Sequence, residues 1–274
     1  MAESITRTVR AFRVVIALLA FATSLALAGS ALAVTGTAVG VSPQADLKAG
    51  GVTRTLVMGA DVSVGDTVVT DAGGQVQILF GDNTRVVVGP NSSLLIEEYL
   101  LGTGNQVSKF AIKALGGTYR FITGNSPKEA YVIKTPTGTI GVRGTAFDWA
   151  VDLVSKITTV VRYEGKVILC PYGPGETQTT DLLKCVVLTQ QCSTGELVFD
   201  KDAHIIEIEK ERLSRVGDLF PYIISQQPLR SDFRVPDGTA CGQPLNPPEP
   251  EKHPGGGEPG NSGNECGECC YDCG

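Results

Sequence analysis

Cysteine is absent before Cys170, and the whole chain holds two histidines and one tryptophan. The scarcity of histidine removes most of acid–base catalysis. His204 precedes "IIEIE" and His253 lies in a Pro/Gly tail, and neither sits near a Ser or Cys motif that would make it a general base. Glu97 and Glu98 are neighbours on a predicted strand, so they point to opposite faces and cannot work as a carboxylate pair. EF-hand spacing occurs nowhere, which excludes that class of calcium site. No basic stripe is present either. Formal net charge is −6, and it becomes −8 once residues 1–33, with three Arg and one Glu, are set aside. Nucleic acid is therefore not expected as a partner, because phosphate contacts need clustered Lys and Arg.

Charge is also missing between Arg13 and Asp46. Arg7, Arg10 and Arg13 precede the apolar run "VVIALLAFATSLALAG", which closes on "SALA" with Ala31 and Ala33 at small-residue positions. This is the pattern of a secretory signal peptide cleaved after Ala33. An uncleaved membrane anchor is the rival, since about 20 apolar residues span a bilayer. Dilution of the run into Gly, Ser, Ala and Thr after Leu27 favours cleavage. The expected location is periplasmic or secreted, with no membrane insertion after cleavage.

Beyond a lead-in over 34–61, short β-rich runs alternate with turn residues as far as Leu169. "TVVT", "QVQILF", "TRVVV", "SLLIEEYL", "KFAIKAL", "TYRFIT", "AYVIKT", "KITTVVRY" and "KVIL" are separated by Asp71–Gly74, Gly81–Asn83, Gly89–Pro90, Gly102, Gly116–Gly117, Gly124–Asn125 and Glu164–Gly165. Period-two alternation puts Phe110 and Ile112 opposite Lys109, Ala111 and Lys113. It also puts Phe147, Trp149 and Val151 opposite Asp148, Ala150 and Asp152. No helical pattern of 10–15 residues separates the runs, so βαβ units are excluded. The prediction is all-β: a sandwich- or coil-like array of short antiparallel strands over 62–152, then a β extension over 153–235. Leu213, Val216 and Phe220 have helical spacing, which predicts one short helix over Glu209–Phe220.

From Pro236 the sequence is dominated by Pro, Gly, Asn and Glu and has no apolar face to bury. A disordered tail over 236–274 is expected, and truncation at Pro236 should leave the melting temperature unchanged. The eight cysteines on an exported chain read first as disulfides. Cys170, Cys185, Cys192 and Cys241 form an even set near the folded body, sufficient for two bridges whose pairing is open. Cys266, Cys269, Cys270 and Cys273 make two abutting CxxC pairs. Four such thiolates can hold tetrahedral Zn, but zinc modules separate their ligand pairs so the chain can wrap the ion. Disulfides within the tail, or between chains in self-association, are the preferred reading, and no metal or cofactor is expected.

The least ordinary stretch is "KTPTGTIGVRGTAFDWAV", from Lys134 to Val151. It lacks the Lys of a nucleotide P-loop, and its glycines do not open a helix as a dinucleotide fingerprint would. What remains is a device for bending a sheet. Pro136 belongs at an edge or strand start. Gly138, Gly141 and Gly144 permit bends or bulges, so Val at Gly141 or Gly144 should destabilise the domain. Arg143 is suited to a carboxylate, either within its own domain or on a partner.

These residues, with "VGDTVVTDAGGQVQILFGDNTRVVVGPNSSLLIEEY" and "GGTYRFITG", resemble the FecR domain. The resemblance covers Val64 to Asp152. It implies an envelope-exposed β domain without catalytic residues. In namesake regulators that domain is periplasmic, senses receptor occupancy, and is linked through the membrane to a segment controlling a sigma factor. Only 13 residues precede the apolar run here, so that output segment is not expected. Two functions follow from the resemblance. The first is a non-enzymatic module binding an envelope protein or cell-wall polymer. The alternative is a periplasmic sensory component of receptor-to-sigma-factor signalling, working through a separate membrane partner.

Overall fold

The computed structural model describes residues 34–102, 106–172, 185–198, 203–206, 219–235 and 241. Two compact units, Met1–Gln243 and Pro244–Gly274, divide the chain, and every described residue lies in the first. The expected signal peptide over 1–33, residues 209–218 of the predicted helix, His253 and the four tail cysteines fall outside the described residues.

The chain is all-β. Among the described residues, fifteen strands join one sheet, with one short α-helix, α1 (Pro221–Ile224), following them. The lead-in already contributes β1 (Val34–Ser42), β2 (Ala45–Ala49), β3 (Val52–Leu56) and β4 (Asp61–Ser63). β1 pairs with β6 (Gln75–Phe80), and β2 pairs with β5 (Thr67–Thr70). β7 (Arg85–Val88) and β8 (Ser93–Leu101) follow as the runs predict. Pairing is antiparallel except between β9 (Val107–Ile122) and β10 (Tyr131–Lys134).

Two predicted turns prove to be bends inside long strands. β9 runs through Gly116–Gly117, so "KFAIKAL" and "TYRFIT" are one strand. Its first part pairs with β8 and β10, its second with β7 and β11 (Gly138–Asp152). β12 (Ile157–Pro171) likewise runs through Glu164–Gly165 and pairs with β11 along almost its whole length. In both places the glycine adopts positive φ, which reorients the strand without ending it.

Inward residues from Ala38 to Leu197 meet in one apolar cluster, which a flat sheet cannot do, so the sheet curls around a single core. Aromatic rings run through it. Phe80 meets Phe110 edge-on with centroids 4.7 Å apart, and Trp149 stacks on Tyr119 at 4.7 Å. The alternation read in β9 and β11 holds: Phe110, Ile112, Phe147, Trp149 and Val151 all face this core.

The opposite face is not open to water. Residues 219–235 lie across it, with Phe220, Ile223 and Val235 on Ala146, Ala150, Val161 and Tyr163. Tyr222, Leu229 and Phe233 pack on Val87. Polar residues hold the strap down: Arg230 N–H donates to Gln77 Oε1 at 2.9 Å, and Gln75 donates to the Pro228 carbonyl at 3.3 Å.

The cysteine pairing left open by the sequence is Cys170–Cys185 and Cys192–Cys241. The latter joins the loop between β13 (Val186–Leu188) and β14 (Thr194–Val198) to the chain just past the strap. Truncation at Pro236 is therefore not neutral, because it removes Cys241 and one end of this bridge. Because its cysteines stand 49 positions apart in the chain, Cys192→Ser should lower stability by about 2–4 kcal/mol, read as a loss of thermal midpoint under oxidising conditions.

Candidate functional site

The motif from Lys134 to Val151 enters the sheet as β10, a tight link and β11. Pro136 lies in the link, where Thr135 N–H donates to the Gly138 carbonyl at 2.9 Å. Thr137 Oγ1 donates to Thr158 Oγ1 at 2.7 Å and ties the link to β12. At Gly138 a Cβ would stand 2.3 Å from the Cys170 carbonyl oxygen, so backbone approach excludes a side chain. Gly144, at φ +62°, sits in a register shift between Arg143 and Ala146. Gly141 differs from the expectation. It pairs regularly with Ile168 and Val132, its φ is not positive, and a Cβ there would make only ordinary contacts at 3.5 Å or more.

The bulge turns Arg143 outward. It is half exposed, with Nη1 3.7 Å from Glu129 Oε1. An ion pair that long and that wet contributes little stability. Lys166 is its cross-strand partner, and the Lys128 side chain lies beside Gly144. Arg143, Lys128 and Lys166 thus make a small basic spot beside Glu129 on an acidic chain.

The strap covers a contact that the sequence analysis missed. Arg120 and Asp148 are cross-strand partners on the outer face, 0% and 1% exposed. They form two parallel bonds, Nε to Oδ1 at 2.6 Å and Nη2 to Oδ2 at 2.8 Å. Tyr163 OH donates to Asp148 Oδ2 at 2.9 Å. From the strap, Gln226 Oε1 and the Phe233 carbonyl accept from Arg120 Nη1. The rings of Tyr163 and Tyr222 lie 5.3 and 5.5 Å from the guanidinium carbon. Burial opposes charge on Arg120, but Asp148 and the hydrogen bonds to it outweigh burial and hold the guanidinium protonated. Burial, with Asp148 adding to it, raises the Tyr163 and Tyr222 phenols and keeps them neutral. The sequence shows these residues only as the polar half of each alternation; their juxtaposition depends on strand pairing and on a segment 106 residues beyond Arg120.

Other candidates resolve into supporting roles. Glu97 pairs with Lys134 at 2.7 Å and Glu98 with Lys109 at 3.6 Å, so the two glutamates serve different cations. His204 lies in β15 (Ala203–Ile206), opposite Glu196. Asp82, in the Gly81–Asn83 turn, accepts hydroxyl donors from Thr84, Ser126 and Tyr131 at 2.9, 2.7 and 2.8 Å. Burial, followed by the nearby Asp82 charge, pushes the Tyr99 phenol up to about 12. A groove of about 640 Å³ runs between Pro90, Leu115, Leu153, Leu219 and Pro221, with Asp152 as its one ionisable lining residue. Among the described residues, no group of His, Cys, Asp and Glu is arranged to hold a metal ion. Nor is any described helix long and apolar enough to cross a membrane.

Residues 66–168, which span β5 to β12 almost completely, match the model of a known family, described as FecR protein. Two solved structures of a candidate anti-sigma factor from Parabacteroides distasonis ATCC 8503, at 1.65 and 2.50 Å resolution, are similar at 14% identity. Their TM-scores are 0.39 and 0.38, and each similarity covers 55% of this chain and 63% of that one. The likeness thus spans less than two thirds of those chains. No curated protein matches this chain.

Proposed function

We propose that this protein is the envelope-side sensory component of a FecR-type signalling pathway. It receives the state of a receptor and passes it to a sigma-factor regulator by contact with a separate membrane partner. The observation that carries this reading is the FecR match over 66–168, which contains the Arg143 bulge and the long strands β9, β11 and β12. The role is non-catalytic. Two disulfides support export, since such bonds persist in oxidising compartments. Recognition falls to sheet edges and turn loops, with the basic spot at Arg143 facing acidic groups on the partner.

Cross-linking in intact cells, followed by purification from the envelope fraction, tests this. Recovery of a receptor or of a membrane-bound sigma regulator is the expected result. Recovery of wall polymer alone would replace the sensory role with a scaffold role.

A further inference from the structure

The β2–β3 hairpin lies outside the segment matched to the FecR family. Its turn, Gly50–Gly51, has φ +55° and +82°, the two-residue geometry that matches strand twist. In such a hairpin the flanking pair, Ala49 and Val52, is hydrogen-bonded, and bonding alternates from there. Val52, Arg54 and Leu56 therefore bond back to β2. Thr53 and Thr55 direct N–H and C=O groups away from it.

Among the described residues nothing pairs with that side, since β2 is the only described strand neighbour of β3. Its residues Val52 to Thr55 are all exposed, on both faces. Arg54 shares a face with Leu47, which is fully buried, so this part of β3 overhangs the edge of the core. Val52, Val57 and Met58 are 66, 58 and 72% exposed along the same edge. An uncovered apolar edge strand is what natural sheets ordinarily avoid.

The charges here say what kind of strand fits. Arg54 reaches only the Asp61 carbonyl, at 3.5 Å, and Lys48 makes no ion pair among the described residues, although Asp46 shares its face. A second copy of β3 pairing antiparallel in the register that sets Thr53 opposite Thr55 would place Arg54 against Arg54, which is unfavourable. We infer that β3 accepts an extended segment of a partner protein, one that alternates apolar residues and carries a carboxylate opposite Arg54. The backbone ladder supplies affinity and the carboxylate supplies choice of partner. This edge serves any partner of that chemistry, whether or not a sigma regulator lies downstream.

The test needs no receptor. The probe is a blocked hexapeptide alternating valine and threonine with one central glutamate, compared with its lysine counterpart by amide NMR titration of the full chain. The glutamate peptide should shift the Thr53 and Thr55 amides and bind about fivefold more tightly than the lysine peptide. Thr55→Pro removes one outward N–H and no bond to β2, so it should leave the melting temperature unchanged and weaken binding at least tenfold. Arg54→Glu, which leaves the backbone intact, should reverse the preference between the two peptides. Equal binding by wild type and Thr55→Pro would overturn the inference, as would shifts confined to other amides. A wild-type dimer that Thr55→Pro converts to monomer would also overturn it, by showing that a second copy takes the edge.

Discussion

Replacing Asp148 with alanine should destabilise the folded chain by about 3–5 kcal/mol, measured as a lowered urea midpoint with Trp149 and tyrosine fluorescence as the probe. The expected loss is large because Arg120 stays where it is. Its guanidinium would remain buried under the strap, with Gln226 and the Phe233 carbonyl as acceptors and no counter-charge. Tyr163 OH would lose its acceptor at the same time. The double variant Arg120→Met with Asp148→Leu should recover most of the stability, since an apolar pair of similar volume avoids the desolvation cost. A shift below about 1 kcal/mol for Asp148→Ala would show that water reaches this contact and that the strap does not seal it. Salt should change little in wild type, because screening acts on exposed pairs.

Gly165→Ala should cost about 3–5 kcal/mol, combining backbone strain with overpacking. Gly165 has φ +72°, and an added Cβ would lie 1.9 Å from the Gly144 carbonyl oxygen. Both bulged backbones, on β11 and β12, would have to separate. Gly141→Ala, in the paired strand β11, is the matched control and should stay within about 1 kcal/mol. If the two variants unfold at the same denaturant concentration, the paired bulges are not what shapes this region.

These variants also show where the sequence was legible. The period-two pattern of "AFDWAV" placed Phe147 and Trp149 in the core correctly, because alternation follows from strand geometry alone. The same pattern left Asp148 on a face read as polar. In "QVQILF", Gln75 and Gln77 are likewise buried beneath the strap. Gly116–Gly117 and Glu164–Gly165 looked like hairpin turns and are bends within strands. A glycine at positive φ serves either purpose, and the choice depends on whether a neighbouring strand continues past it. Gly138 and Gly144 do meet backbone constraints, whereas Gly141 does not, and no local residue type distinguishes the three.

From its sequence alone this chain was determined to be all-β, with its core-facing residues assigned in the central strands and its disulfide-capable character evident. Those properties depend on residue type and short-range periodicity. Tertiary structure alone decided which cysteines pair, that residues 219–235 close the outer face, and that Arg120 meets Asp148 there. It also decided that β3 is left with an open edge. Each of these joins or separates segments far apart in the chain, and such contacts depend on how the sheet curls rather than on any local pattern.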